Sequence, residues 1–316
     1  MWLRNVIALC PALVCLALAW PVGVDATIYT IAPDGQDLSP CTGEEPCASV
    51  RRASQLLVPG DTLHVVSASG SDWLTRVASE ASRELKQVRG GRVLDAGGDQ
   101  LLGFVRLAQA WSTTLRPQFP SAAKAMPNLV DALARQTRIA AIVDRHMFIG
   151  SPEFERSPFV FITADRAFEL TDAEAASLKV HLQTGGFLFV DSAEPHLEFS
   201  QAEAALRDMF RRALGRRAQL RRIADHHPIF AAPYAFNGAP PGLDLARPRH
   251  ALEGLFLEGR LVALFSDRGY VHSLAQSDGN EAQMRLLINA VHYALQHSEK
   301  ANRIVLRRVD PVPPTP

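Results

Sequence analysis

The chain has 316 residues, 47% of them apolar and 21% charged, with a formal net charge of zero. That is ordinary globular composition with ample length for a core. The balanced charge gives no footprint for nucleic acid, and the basic cluster Arg211-Arg212, Arg216-Arg217, Arg221-Arg222 reads as a solvated helix face.

Residues 1–26 read as a secretory signal peptide. Arg4 supplies the positive start, 6–19 the apolar stretch, and Val24-Asp25-Ala26 the small residues of a cleavage site before Thr27. The apolar stretch is shorter than the about 20 residues a membrane span needs, and Pro11 and Pro21 interrupt it. The expectation is an extracytoplasmic protein, periplasmic or secreted, with no membrane span after cleavage; an uncleaved anchor is the alternative. Of four cysteines, Cys41 and Cys47 would survive. Export permits a disulfide, and the intervening Thr-Gly-Glu-Glu-Pro can turn tightly enough to close it. There is no C-x-x-C motif and no nearby histidine, so neither redox catalysis nor a metal is indicated.

Residues 27–67 form a distinct first segment, with alternating apolar residues, a Pro/Gly/Asp-rich middle, one short helix and a turn into a strand. Asp34-Gly35, the helix at 48–57 and Pro59-Gly60-Asp61-Thr62 resemble the first coil of secreted right-handed parallel β-helix proteins. The many rungs such a fold needs do not follow, so the segment reads as a small β-rich appendage. Residues 68–100 read as an amphipathic helix, with Trp73, Val77, Ala81, Leu85 and Val88 on one stripe, and a linker at Ala96-Gly97-Gly98-Asp99.

From residue 101 to 298 strands and helices alternate: a strand at 104–108, a helix at 121–136 perturbed by Pro127, and a strand at 139–143. The clearest unit follows. Phe159-Val160-Phe161-Ile162 is an apolar run suited to a strand buried on both faces. Thr171 and Glu174 form a capping box, Ala175, Leu178 and Leu182 keep helical spacing, and Gly185-Gly186 closes the helix. Residues 187–190 are the next strand, ended by Asp191. Such a βαβ unit predicts a mainly parallel sheet with helices on both faces. A helix at 201–214, a short strand at 219–222, a long Pro/Gly loop at 225–250, a hairpin at 255–257 and 261–265 and a helix at 281–297 complete the region. Residues 299–316 read as a Pro-rich tail.

Phe104-Val105-Arg106 with Trp111, Pro127-Asn128-Leu129, Ser157 to Phe161, and Leu170-Thr171-Asp172-Ala173-Glu174 make an ordered series. It continues with Gly185 to Asp191, Asp225-His226-His227-Pro228-Ile229-Phe230, Gly259-Arg260-Leu261, and Asn289 to Leu295. This series resembles a bacterial domain-of-unknown-function family (DUF 4159). The resemblance implies a class I glutamine-amidotransferase-like, flavodoxin-like α/β fold and no established activity. The usual amidotransferase nucleophile is missing, since Cys41 and Cys47 lie outside this region.

In parallel α/β sheets ligands bind beyond the carboxyl ends of the strands, which here carry Gln109, Trp111, Asp165-Arg166, Asp191-Ser192 and Asp267. Two neighbouring carboxylates could hold a cation or do acid–base work; the alternative is that Asp191 caps a helix and Asp165 pairs with Arg166. The expectation is a cleft containing Asp165 and Asp191, with the 225–250 loop folded over it. Asp225-His226-His227 is the densest ligand cluster, but adjacent histidines diverge and do not make the i, i+4 pair of a helical zinc site. A Ser-His-Asp set from Ser192 or Ser266, Asp267 and His272 lacks the strained elbow that exposes a nucleophile. The chain therefore reads as a non-catalytic binding or assembly module for an envelope protein or glycan, without cofactor or metal. The alternative is a periplasmic hydrolase using these Asp and His residues.

Overall fold

The computed structural model describes residues 27–58, 61–67, 89–94, 102–194, 199–243 and 252–308. The segment read as a signal peptide, the helix expected at 71–88, the linker expected at 96–99, Pro59-Gly60 and the last eight residues lie outside these. The elements are β1 (Ile28–Ile31), α1 (Val50–Ser54), β2 (Thr62–Ser67), β3 (Gly90–Leu94), β4 (Leu102–Trp111) and α2 (Pro120–Gln136). They continue as β5 (Arg138–Phe148), α3 (Pro152–Arg156), β6 (Phe159–Ala164), α4 (Asp172–Gln183), β7 (Phe187–Ser192) and α5 (Gln201–Leu214). The last are β8 (Leu220–Arg222), β9 (Glu253–Leu257), β10 (Arg260–Ser266), α6 (Tyr270–Leu274), α7 (Glu281–His297) and β11 (Asn302–Arg308).

Among the described residues eleven strands join one mixed sheet in the order β1-β2-β11-β3-β4-β6-β7-β10-β9-β8, with β5 paired to β4. The pairings from β4 through β5, β6, β7 and β10 are parallel. So are those of β1, β2, β11 and β3, while β3–β4, β8–β9 and β9–β10 are antiparallel. The predicted α/β class holds with a mostly parallel sheet, which the antiparallel β3–β4 pairing interrupts at its middle and the β8–β9–β10 pairings end at one edge. One expectation is corrected: Asn302–Arg308, read as part of a Pro-rich tail, is a strand inserted between β2 and β3. Residues 27–67 accordingly contribute β1 and β2 to the same sheet as the α/β region.

Alternation along the central strands divides the core. Phe159, Phe161, Phe187 and Phe189 pack with Val105 and Leu107 against α2, α6 and α7. Val160, Ile162, Leu188 and Val190 face α3, α4 and α5 on the other side. Every residue of β6 and β7 is buried, as a sheet covered by helices on both faces requires. A third core gathers Ile31, Leu57, Leu63 and Val65 with Phe104 of β4 and the bridged cysteines. Cys41 and Cys47 form the expected disulfide, their Cα atoms 4.6 Å apart.

Candidate functional site

The carboxyl end of β4 is held from several sides. Trp111 ends the strand; its carbonyl accepts from the Ile149 N–H at 2.8 Å, and the Ser112 hydroxyl accepts from the Leu115 N–H at 2.9 Å. The capping box of α4 forms as the sequence predicts, and it reaches further. Glu174 Oε2 accepts from the Thr171 N–H, while Oε1 accepts from the Thr113 N–H at 2.7 Å and the Thr113 hydroxyl at 2.9 Å. These bonds hold the Glu174 carboxyl below its ordinary value against the opposing effect of burial.

Beside this strand end lies a groove of about 560 Å³ between the first turns of α2 and the β4–β5 pair. Its walls are largely apolar: Phe119, Pro120, Ala122 and Met126 on one side, Trp111 and Val143 on the other. Trp111 stacks on His146, with ring centroids 4.0 Å apart and planes 15° from parallel. The register moves from Leu107↔Val143 to Gln109↔His146, a bulge in β5. Bulges re-aim side chains, and here Val143, Asp144 and His146 all reach the groove. Gln109 also lines it, 8% exposed, with no hydrogen-bond partner for its Nε2. α2 begins with Phe119 at the N-cap and Pro120 in its first turn, and no side chain caps it. The positive end of its dipole therefore opens beside the groove.

Asp144 has a structural task as well. It pairs with Arg89 and, at 3.3 Å, with Arg106, both guanidinium groups being almost fully buried. Burial pushes the Arg89 guanidinium below its ordinary value, and the Asp144 charge opposes that.

The residues singled out in the sequence are placed as follows. Trp111 lies in the groove. Asp165 is bound at both oxygens by Arg166, at 2.8 and 3.2 Å, near the surface. Asp191 is fully buried and its Oδ2 accepts from the Val271 N–H at 2.8 Å, tying β7 to the start of α6. Thr163, Asp191 and Ser266 are register neighbours on three strands, so they share a face. Thr163 Oγ1 and Asp191 Oδ1 have no hydrogen-bond partner. Burial raises the Asp191 pKa to about 7; the Val271 amide and nearby Ser266 and Tyr270 pull against that shift. Ser192 is buried, with its hydroxyl 3.4 Å from that of Ser200. Asp225 is exposed and pairs with Arg222; His226 is exposed; Asp267 is half-buried.

Asp165 and Asp191 are each engaged locally, and neither lines the Trp111 groove. The described part of the long loop is anchored on α7 and on the segment that follows β10, where the Leu243 N–H donates to the Arg268 carbonyl at 3.0 Å. Asn289 of α7 holds the Tyr234 N–H and the carbonyls of Ile229 and Tyr234, and the Tyr270 hydroxyl donates to the Pro240 carbonyl. His272, imagined in a catalytic set, is spanned between the Ser121 hydroxyl and the Ala193 carbonyl, each at 2.9 Å. Among the described residues no cluster of three His, Cys, Asp or Glu side chains is arranged to hold a metal ion. The groove residues that sequence reasoning missed are Phe119, Asp144 and His146.

Residues 106–295 match the family described as Domain of unknown function (DUF4159), and the chain belongs to it. No curated protein matches the chain.

Proposed function

We propose that this chain is an exported binding module, built on a flavodoxin-like, amidotransferase-like scaffold, whose ligand is an extended polypeptide of the cell envelope laid into the Trp111 groove. The observation that carries the reading is the stacked Trp111–His146 pair, walled by Phe119 and Met126 above the unpartnered Gln109 amide. Grooves of this size, mostly apolar with a few fixed polar groups, are the common form of ligand sites. An extended polypeptide is favoured over a glycan because β5 pairs only with β4 among the described residues. Val143 and Phe148 on it are 40% and 44% exposed. An unpaired strand edge beside side-chain pockets suits recognition by strand addition. The Cys41–Cys47 bridge supports an oxidising compartment, and the alternation of strands and helices from β4 to β7 supports the scaffold.

Selection of displayed peptides against the purified mature chain tests this. Selected peptides should bind the native chain and lose about tenfold or more on Trp111→Ala, as removal of an aromatic anchor does. Turnover of ester or peptide reporter substrates that disappears on Asp191→Asn would instead establish the hydrolase.

A further inference from the structure

The opposite, amino end of the parallel strands carries a second concavity, of about 680 Å³, into which four arginines converge: Arg216, Arg217, Arg221 and Arg260. We propose that it is a binding site for an oligovalent oxyanion, a chain of phosphates or a comparably dense polyanion. The site is independent of the Trp111 groove.

Two of the four guanidinium groups are positioned by the fold. Arg260 donates to the Leu182 carbonyl at 2.9 Å and to the Gly186 carbonyl at 3.5 Å, so the carboxyl end of α4 holds it. Arg221 sits over the Phe256 ring at 5.6 Å. Arg216 and Arg217 form a 3-10 turn that projects them beyond α5. Other arginines of the same cluster are neutralised: Arg211 by Asp208, Arg212 by Asp172, Arg222 by Asp225. Arg216, Arg217 and Arg221 form no ion pair among the described residues. The cluster is thus compensated outside the concavity and left cationic within it. Fixed guanidinium forks match oxyanions in a way that mobile ammonium groups do not.

Two carboxylates, Glu258 and Glu299, also line the site, leaving it net positive. Glu258 occupies a left-handed conformation, φ 51°, beside Gly259 at φ 81° in the β9–β10 turn. Asparagine or glycine would be the ordinary residue there. The turn itself requires this conformation, and it places the Glu258 carboxylate at the rim of the site. There it opposes weakly bound or singly charged anions. The bland alternative is that these arginines only protect the short edge strand β8 from pairing with another chain, but Arg216 and Arg217 precede that strand.

The test is calorimetric titration of the mature chain with tripolyphosphate at low salt, alongside sedimentation with vesicles containing phosphatidylglycerol. Tripolyphosphate should bind, weaken by about tenfold or more in the Arg216→Ala/Arg217→Ala double variant, and weaken with added salt. Glu258→Gln should tighten it. Binding confined to vesicles with the same response to these variants would also support the site and make a lipid headgroup its source. Absence of binding to both, or binding indifferent to all three substitutions, would overturn it. The altered side chains are exposed, and an unchanged circular dichroism spectrum confirms that each variant is folded.

Discussion

Asp191 ends β7 with its carboxyl group wholly out of solvent, one oxygen bonded to the Val271 N–H and the other without a partner. Its pKa is about 7 in the folded protein against 3.8 ordinarily, because burial disfavours the charged form. A group that binds its proton more tightly when folded stabilises the fold below its unfolded pKa and loses that contribution as pH rises through the folded one. Stability from this residue should therefore fall between roughly pH 4 and pH 7 and level off above. Asp191→Asn keeps the shape and the acceptor for Val271 without the titration. Melting temperatures followed across this range should decline for the native chain and flatten in the variant, which gains relative stability near neutrality. Parallel curves would show that Asp191 is not the titrating group. The shifted acidity thus links folding to pH. A perturbed pKa marks a site only where something can reach it.

At the level of elements, the β6–α4–β7 unit was fully legible in the sequence, because its cues are local: a capping box, helical apolar spacing and a glycine pair. Leu178 and Leu182 on α4 are completely buried between the sheet and its neighbours. Leu182→Ala should therefore cost about 2–5 kcal/mol in chemical denaturation; a loss well under about 1 kcal/mol would mean that the site refills or is not closely packed. β5 was legible only as far as Val143, since Asp144-Arg145-His146 breaks the apolar run. Asp144 belongs in a strand because Arg89 and Arg106 meet it there, from 55 and 38 residues away along the chain. For the same reason the groove was half visible. Trp111 could be placed at a strand end, whereas its stacking on His146 depends on a bulged register that no local pattern announces. β11 was missed because its partners, β2 and β3, lie more than two hundred positions earlier. Its own run, flanked by proline-rich sequence, reads equally well as a tail.

For the molecule as a whole, β11 changes what the amino-terminal segment is. The chain leaves α7, returns past β3 and inserts a strand that pairs on one side with β2 and on the other with β3. Residues 27–67 are thereby joined through continuous hydrogen bonding to β4 and the parallel centre. Phe104 makes the same connection in the core. It is fully buried among Ile31, Leu57, Leu63 and the bridged cysteines, while its neighbour Val105 faces the α2 and α7 side. A structure connected in this way should unfold in one cooperative transition, with far-UV circular dichroism and tryptophan fluorescence coincident. Phe104→Ala, which removes the shared side chain, should cost about 3–5 kcal/mol and shift both signals together. Reducing Cys41–Cys47 should lower the same single midpoint, by the equivalent of about 2 kcal/mol for so short a loop. An early, separate loss of strand signal that leaves the fluorescence transition in place would mean that the first two strands are an independent unit docked on the sheet edge. The shared sheet and the shared phenylalanine both argue for the single transition.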